Sequence, residues 1–149
     1  MPREPALATL RELARCCQAF EAHSSAHIRT LGLTPPQFDI VATLGNTTGM
    51  SFKELGEKTL ITKGTLTGVV DRLEARDIVR RVGSDSDRRS TRVELTDAGV
   101  ALFAEVFPGV VTRTKRVFDI LGESERLALE ASLRRLREAF ESFSEGDNK

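Results

Sequence analysis

A mostly α-helical fold with one small β-hairpin is what this chain predicts, and three features predict it. Apolar residues recur at helical spacing through six segments of the 149 residues. Two of those segments are short and separated by only about three residues, a spacing that fits two helices joined by a tight turn. Directly after them come the β-prone run Val79-Arg80-Arg81-Val82 and an alternating segment in which Val93 and Leu95 can face inward, with the eight residues Gly83 to Ser90 between the two.

Residues 5–31 read as a long helix, because Leu7, Leu10, Leu13, Ala14, Cys17, Phe20, Ile28 and Leu31 fall near its period. Gly32 ends it. Thr34 caps the second helix, whose first turn holds Pro35 and Pro36, where a missing N–H costs little. Phe38, Ile40, Val41 and Leu44 give that helix a buried side, and residues 46–49 are a break. Ser51-Phe52-Lys53-Glu54 fits a capping box and opens a short helix to about Lys58. Thr62 caps the fourth helix, which runs to about Arg76 with Leu66, Val69, Val70 and Leu73 inward.

In the hairpin that follows, Val93 and Leu95 alternate toward the core. Thr96-Asp97-Ala98-Gly99 then starts a fifth helix, with Leu102, Phe103, Val106, Phe107, Val110, Val111, Val117 and Phe118 as its apolar residues. Pro108 should kink it, because the ring displaces a backbone hydrogen bond. Gly122 closes the segment. Residues 124–143 form a sixth helix in which Leu129, Leu133, Leu136, Phe140 and Phe143 step by four, three, four and three. Residues 144–149 are expected to fray.

This order of elements is that of a winged helix-turn-helix, residues 33–96, flanked by helical regions 1–32 and 97–149 in a single-domain protomer. The compact centre leaves the apolar faces of the outer helices poorly covered. Burial against a second copy is the simplest remedy, so the flanks are expected to be dimerisation helices of an isologous homodimer.

Composition narrows the function. Lys plus Arg equals Asp plus Glu, 22 each, yet residues 53–92 hold ten cations against seven carboxylates. A dimer doubles that modest positive patch. The absence of Trp and Tyr argues against single-stranded nucleic acid, which is bound by aromatic stacking. No apolar stretch approaches the roughly 18 residues of a membrane span, and the N-terminus lacks a signal-peptide layout, so a cytoplasmic protein with no membrane partner is expected. Cys16 and Cys17 are adjacent and cannot build a disulfide framework. No phosphate-cradling loop, metal-ligand cluster or His-based nucleophile is evident, so no enzyme, metal or cofactor is expected.

An arginine-rich hairpin tip serves no core, and an anion is its expected partner. Double-stranded DNA fits best. Thr62, Lys63, Gly64, Thr65 and Thr67 offer the exposed first turns of a recognition helix, with Arg72 further along it. Lys63 sits at the positive end of the helix dipole, which costs ~0.3–1 kcal/mol unless an anion comes near. Gly64 and Gly68 each weaken a helix by about 1 kcal/mol relative to Ala, and together leave one bare face. In the wing, Arg89 is the candidate for the minor groove, with Asp87 holding its guanidinium. Arg88 is a phosphate candidate, and for Arg81 both a phosphate contact and a brace for the wing stand open.

The chain resembles the MarR (multiple antibiotic resistance regulator) family of winged-helix transcription factors. The matching residues are Leu33-Thr34-Pro35-Pro36-Gln37-Phe38, Thr62-Lys63-Gly64-Thr65-Leu66-Thr67, Val70-Asp71-Arg72-Leu73-Glu74 and Asp87-Arg88-Arg89-Ser90. Val93-Glu94-Leu95-Thr96-Asp97-Ala98-Gly99 completes the match over residues 33–99. The resemblance implies a dimeric DNA-binding regulator of transcription, often a repressor released by a small ligand; the symmetry of a homodimer then predicts an inverted-repeat operator with half-site centres ~10 bp apart. Asp77 stands where the family often has Gly, and Asp tolerates the left-handed cap that position needs.

The resemblance further implies a ligand cleft where the first, second and fifth helices meet. Its candidates here are His23, His27, Arg29, Phe38, Val106, Phe107 and Arg113, a lining that suits a small aromatic or phenolic acid effector. Three alternatives stand beside this reading. One is a winged-helix module for protein interaction without DNA binding. Another is a metal-responsive regulator using Cys16, His23 and His27, of which only the two histidines are close enough to share an ion. The last is a redox-responsive regulator. Against it, the reactive cysteine of the family's peroxide-sensing branch falls where this chain has Leu10, and Cys17 is expected to pack in the core.

Overall fold

The computed structural model describes residues 4–83 and 91–146. In chain order its elements are α1 (Pro5–Thr30), α2 (Pro35–Leu44), β1 (Met50–Ser51), α3 (Phe52–Lys58), α4 (Lys63–Ala75), β2 (Val79–Val82), β3 (Arg92–Leu95), α5 (Asp97–Phe118) and α6 (Glu123–Gly146). The backbone divides into two compact units, Met1–Pro108 and Gly109–Lys149.

The first unit is organised around the helix-turn-helix. Ile40, Val41 and Leu44 of α2, Leu55 of α3 and Leu66, Val69, Val70 and Leu73 of α4 form a buried cluster with Val79 and Val93 of the sheet. Burying a side chain of this size is worth about 1.5–3 kcal/mol, so this cluster fixes how α3 and α4 cross. Ile28 and Leu33 attach the end of α1 to it.

Local chemistry sets where each helix starts and stops. In α2 the Gln37 N–H donates to Thr34 Oγ1 at 3.3 Å, while the Thr34 N–H donates to Gln37 Oε1 at 3.1 Å, a complete capping box. Ser51 and Glu54 make the same reciprocal pair for α3. At the end of α4, Asp77 takes φ +58°. The Asp77 N–H donates to Glu74 O and the Ile78 N–H to Leu73 O, both at 2.9 Å. This is a Schellman cap, with buried Ile78 and Leu73 at its two ends.

Strands β1, β3 and β2 lie in that order, both pairings antiparallel, with Arg81 opposite Val93 and Met50 also opposite Val93. The hairpin is the expected one. Strand β1 was not foreseen, since two residues are too few to show alternation. At the root of α5, a Cβ on Gly99 would lie 2.1 Å from the Ile78 carbonyl oxygen. Only glycine lets this helix start so close to β2.

Helix α5 runs unbroken through Pro108, and α6 extends to Gly146, beyond the expected end at 143. Cys17, expected in the core, is exposed. From Pro5 to His23, α1 is exposed at every residue but Leu13, its apolar residues Leu7, Leu10 and Phe20 among them. In the second unit Leu129, Leu133, Leu136, Phe140 and Phe143 of α6 are likewise exposed. No helix among the described residues is long and apolar enough to cross a membrane.

Candidate nucleic-acid interface

The exposed side of α4 begins at its N-cap. Thr62, Lys63, Gly64, Thr65 and Thr67 are all exposed, as is Arg72 two turns on. Thr62 occupies the cap position, but its hydroxyl makes no bond to the helix backbone. It lies 2.9 Å from the Thr65 hydroxyl instead. The Thr62 carbonyl accepts from the N–H groups of Thr65 and Leu66, and neither the carbonyl nor the hydroxyl takes the N–H groups of Lys63 and Gly64. Backbone donors left over at a helix start, at the positive end of the dipole, are suited to an anion.

The glycines add a steric feature. A Cβ built on Gly64 or Gly68 meets nothing within 4 Å. Neither glycine is needed for packing inside the chain, although each costs helix stability. The face they leave is bare of side chains and opens onto free space.

Arg81 is engaged within the protein. On β2, its guanidinium bonds to Asp71 and, at 2.8 Å, to Glu74, both on α4, and it sits 5.5 Å from the centre of the Phe52 ring on α3. The bond to Asp71 and the neighbouring Glu74 charge hold the guanidinium in its protonated form more firmly than usual. One cation thus neutralises two carboxylates on the outer side of α4 and ties the sheet to both helices of the motif. Arg80 pairs in the same way with Glu94 across the hairpin, at 2.6 Å. Arg76, at the end of α4, donates to the Gly32 carbonyl at 2.9 Å and to Gln37 Oε1 at 3.3 Å, fastening the helix to the α1–α2 junction.

Asp87, Arg88 and Arg89 lie outside the described residues. So does the tip of the hairpin as a whole.

The ligand-cleft candidates are spread between the two units. In the first, His23 and Arg29 are exposed, His27 and Phe38 are half-buried, and Val106 is buried. Phe107 stacks on Phe103 with ring centres 4.7 Å apart. Arg113 belongs to the second unit and is exposed. A cavity of about 210 Å³ opens in the first unit, with Leu44, Thr47, Arg80, Glu94, Val100 and Phe103 in its wall and none of the seven candidates. Among the described residues, no three His, Cys, Asp or Glu side chains are grouped to hold a metal ion.

Two further residues escaped the sequence reading. Asp39 of α2 accepts the Leu60 N–H at 2.8 Å, and burial raises its carboxyl above the ordinary value despite that bond. Leu60 itself is exposed in the turn before α4. The available signal was the alternation Thr59-Leu60-Ile61, too short to register as a pattern.

Residues 31–90 match the model of the MarR family. The transcriptional regulator MhqR of Bacillus subtilis (strain 168), of helix-turn-helix type, is 30% identical over 113 residues, 76% of this chain and 78% of that protein. Among solved structures, NMB1585, a MarR family regulator from Neisseria meningitidis, is 25% identical with a TM-score of 0.79, covering 95% of this chain and 99% of the other. BpsR of Bordetella bronchiseptica, whose DNA binding is regulated by 6-hydroxynicotinic acid, is 29% identical with a TM-score of 0.78 over 92% of this chain and 98% of that one.

Proposed function

The chain belongs to the MarR family of helix-turn-helix transcriptional regulators, and from that premise we propose that it is a ligand-responsive repressor binding double-stranded DNA as a homodimer. The observation that carries the reading is the start of α4: an exposed turn with backbone donors free of a side-chain cap and two glycines facing open space. A phosphate or a groove wall supplies what that surface lacks. Thr62, Lys63, Gly64, Thr65, Thr67 and Arg72 form the major-groove element of the proposal. Arg89, held by Asp87, takes the minor groove and Arg88 a phosphate. Arg81 acts as the brace that keeps Asp71 and Glu74 from repelling the duplex.

The homodimer draws its support from the exposed apolar residues of α1 and, separately, of α6, which a second copy would cover. Two recognition helices then meet successive major grooves, about 34 Å apart, so the operator is an inverted repeat with half-site centres ~10 bp apart. The protein works in the cytoplasm. Its effector is a small aromatic or phenolic acid bound near His23, His27, Arg29, Phe38, Val106 and Phe107. Support for that class comes from BpsR, which responds to one such acid.

Footprinting on genomic DNA tests the operator, and Lys63→Ala and Arg89→Ala test the contacts. Each variant is expected to lose operator affinity about tenfold or more, on the scale of a base or phosphate contact, with the dimer intact in sedimentation. Unchanged affinity at moderate salt in both variants rejects the assignment.

A further inference from the structure

The turn between α3 and α4 holds one side chain that the fold does not use. Thr59 is buried, Ile61 packs against the core, and the backbone at Thr59 is extended, with φ −100° and ψ 165°. In an extended run, the residue between two inward-facing neighbours points outward. That residue is Leu60. It is 90% exposed, more than any other large apolar side chain described. Its backbone is nonetheless anchored, since its N–H donates to the half-buried Asp39 carboxylate of α2 at 2.8 Å. The leucine is therefore held out from the core by a fixed turn.

Its surroundings narrow what it meets. Leu60 stands two residues before Thr62, the N-cap of α4, with only the core-packed Ile61 between them, so its outward side chain lies beside the exposed first turn of that helix. An isobutyl group gains nothing from phosphates or from the polar edges of bases. The major groove presents one apolar group, the C5-methyl of thymine.

We infer that Leu60 reads a thymine methyl in each half-site of the operator, with Asp39 as the positioning residue that fixes its turn. The inference rests on the DNA-binding reading of α4. A site selected by the full-length protein from a random duplex library serves as the probe, remade with each thymine replaced in turn by deoxyuridine. This removes the methyl and keeps the hydrogen-bonding edge.

The wild type is expected to lose about three- to tenfold in affinity at one thymine per half-site, the scale of a buried methyl and its packing. Leu60→Ala shows a similar loss on the thymine duplex and no further loss on the uracil duplex at that position. Asp39→Ala, which frees the turn, narrows the same thymine–uracil difference while leaving Leu60 in place. Because Leu60 is outside the core, thermal melting of Leu60→Ala matches the wild type and confirms an intact fold. If Leu60→Ala binds as tightly as the wild type, or penalises thymine and uracil duplexes equally at every position, the inference is overturned and the α4 reading survives. If the wild type selects no duplex at all, both fall together.

Discussion

Removing Arg81 separates two roles for a cation beside DNA. Its side chain is 29% exposed, while those of Asp71 and Glu74 are 57% and 42% exposed. Ion pairs this open contribute at most about 1 kcal/mol each, and the interaction with the Phe52 ring about 0.5–1 kcal/mol. Arg81→Ala is therefore expected to lose about 1–2 kcal/mol of stability, visible as a melting temperature a few degrees lower. The effect on DNA is larger in consequence. Two carboxylates on α4 lose their neutralising partner. At ~8 Å from a phosphate, each costs ~0.5–1 kcal/mol for an effective dielectric between 40 and 80. About tenfold weaker binding per recognition helix follows. Fluorescence anisotropy on a labelled duplex at low salt measures it, and Arg81→Ala/Asp71→Asn/Glu74→Gln supplies the control. If bracing is the role, the triple variant recovers most of the affinity. A triple variant as weak as Arg81→Ala, with a salt slope shallower by about one for each phosphate no longer neutralised, would refute the brace and make Arg81 a direct phosphate ligand.

Gly64→Ala and Gly68→Ala place a methyl in open space, so each is expected to raise stability by up to about 1 kcal/mol and to weaken duplex binding; a variant that melts higher and binds as well contradicts the close-approach reading. Gly99→Ala should do the opposite to stability, since its Cβ would sit 2.1 Å from the Ile78 carbonyl oxygen; overpacking of this kind costs about 1–3 kcal/mol, and an unchanged melt would mean α5 shifts freely. Asp39 predicts a pH dependence: burial raises its carboxyl above the ordinary 3.8, so the folded protein keeps that proton to higher pH than the unfolded chain. The stability it contributes is full below pH 3.8 and is lost as pH rises through the folded value. Asp39→Asn should therefore melt above the wild type at pH 7, with the gap closing under acid, and a gap that widens under acid would contradict the sign.

What the sequence disclosed follows the range of the forces involved. Both capping boxes pair residues three apart, Thr34 with Gln37 and Ser51 with Glu54, so they stand in the sequence as written. The Schellman turn at Asp77 is equally local. The core cluster was readable because Leu66, Val69, Val70 and Leu73 repeat at the helical period, and the exposed glycine face because its members are four apart. Other features depend on partners brought together by folding. The companions of Arg81 lie ten and seven residues away on another element, at spacings no periodicity marks. Asp39 meets Leu60 across 21 positions. Thr62 holds the N-cap position as read, yet its hydroxyl meets the Thr65 hydroxyl and bonds no backbone N–H of the helix, a choice that spacing does not reveal. Cys17 was misplaced because helical periodicity reports that a face is apolar without reporting which chain covers it.

The most direct measurement of the central claim is a salt titration of duplex binding, with the mass of the complex read by sedimentation. Two protomers on one duplex are expected, with log K falling against log salt at a slope of about −5 or steeper, the release expected for some six neutralised phosphates. A single protomer in solution that leaves duplex DNA unbound at low salt would contradict it.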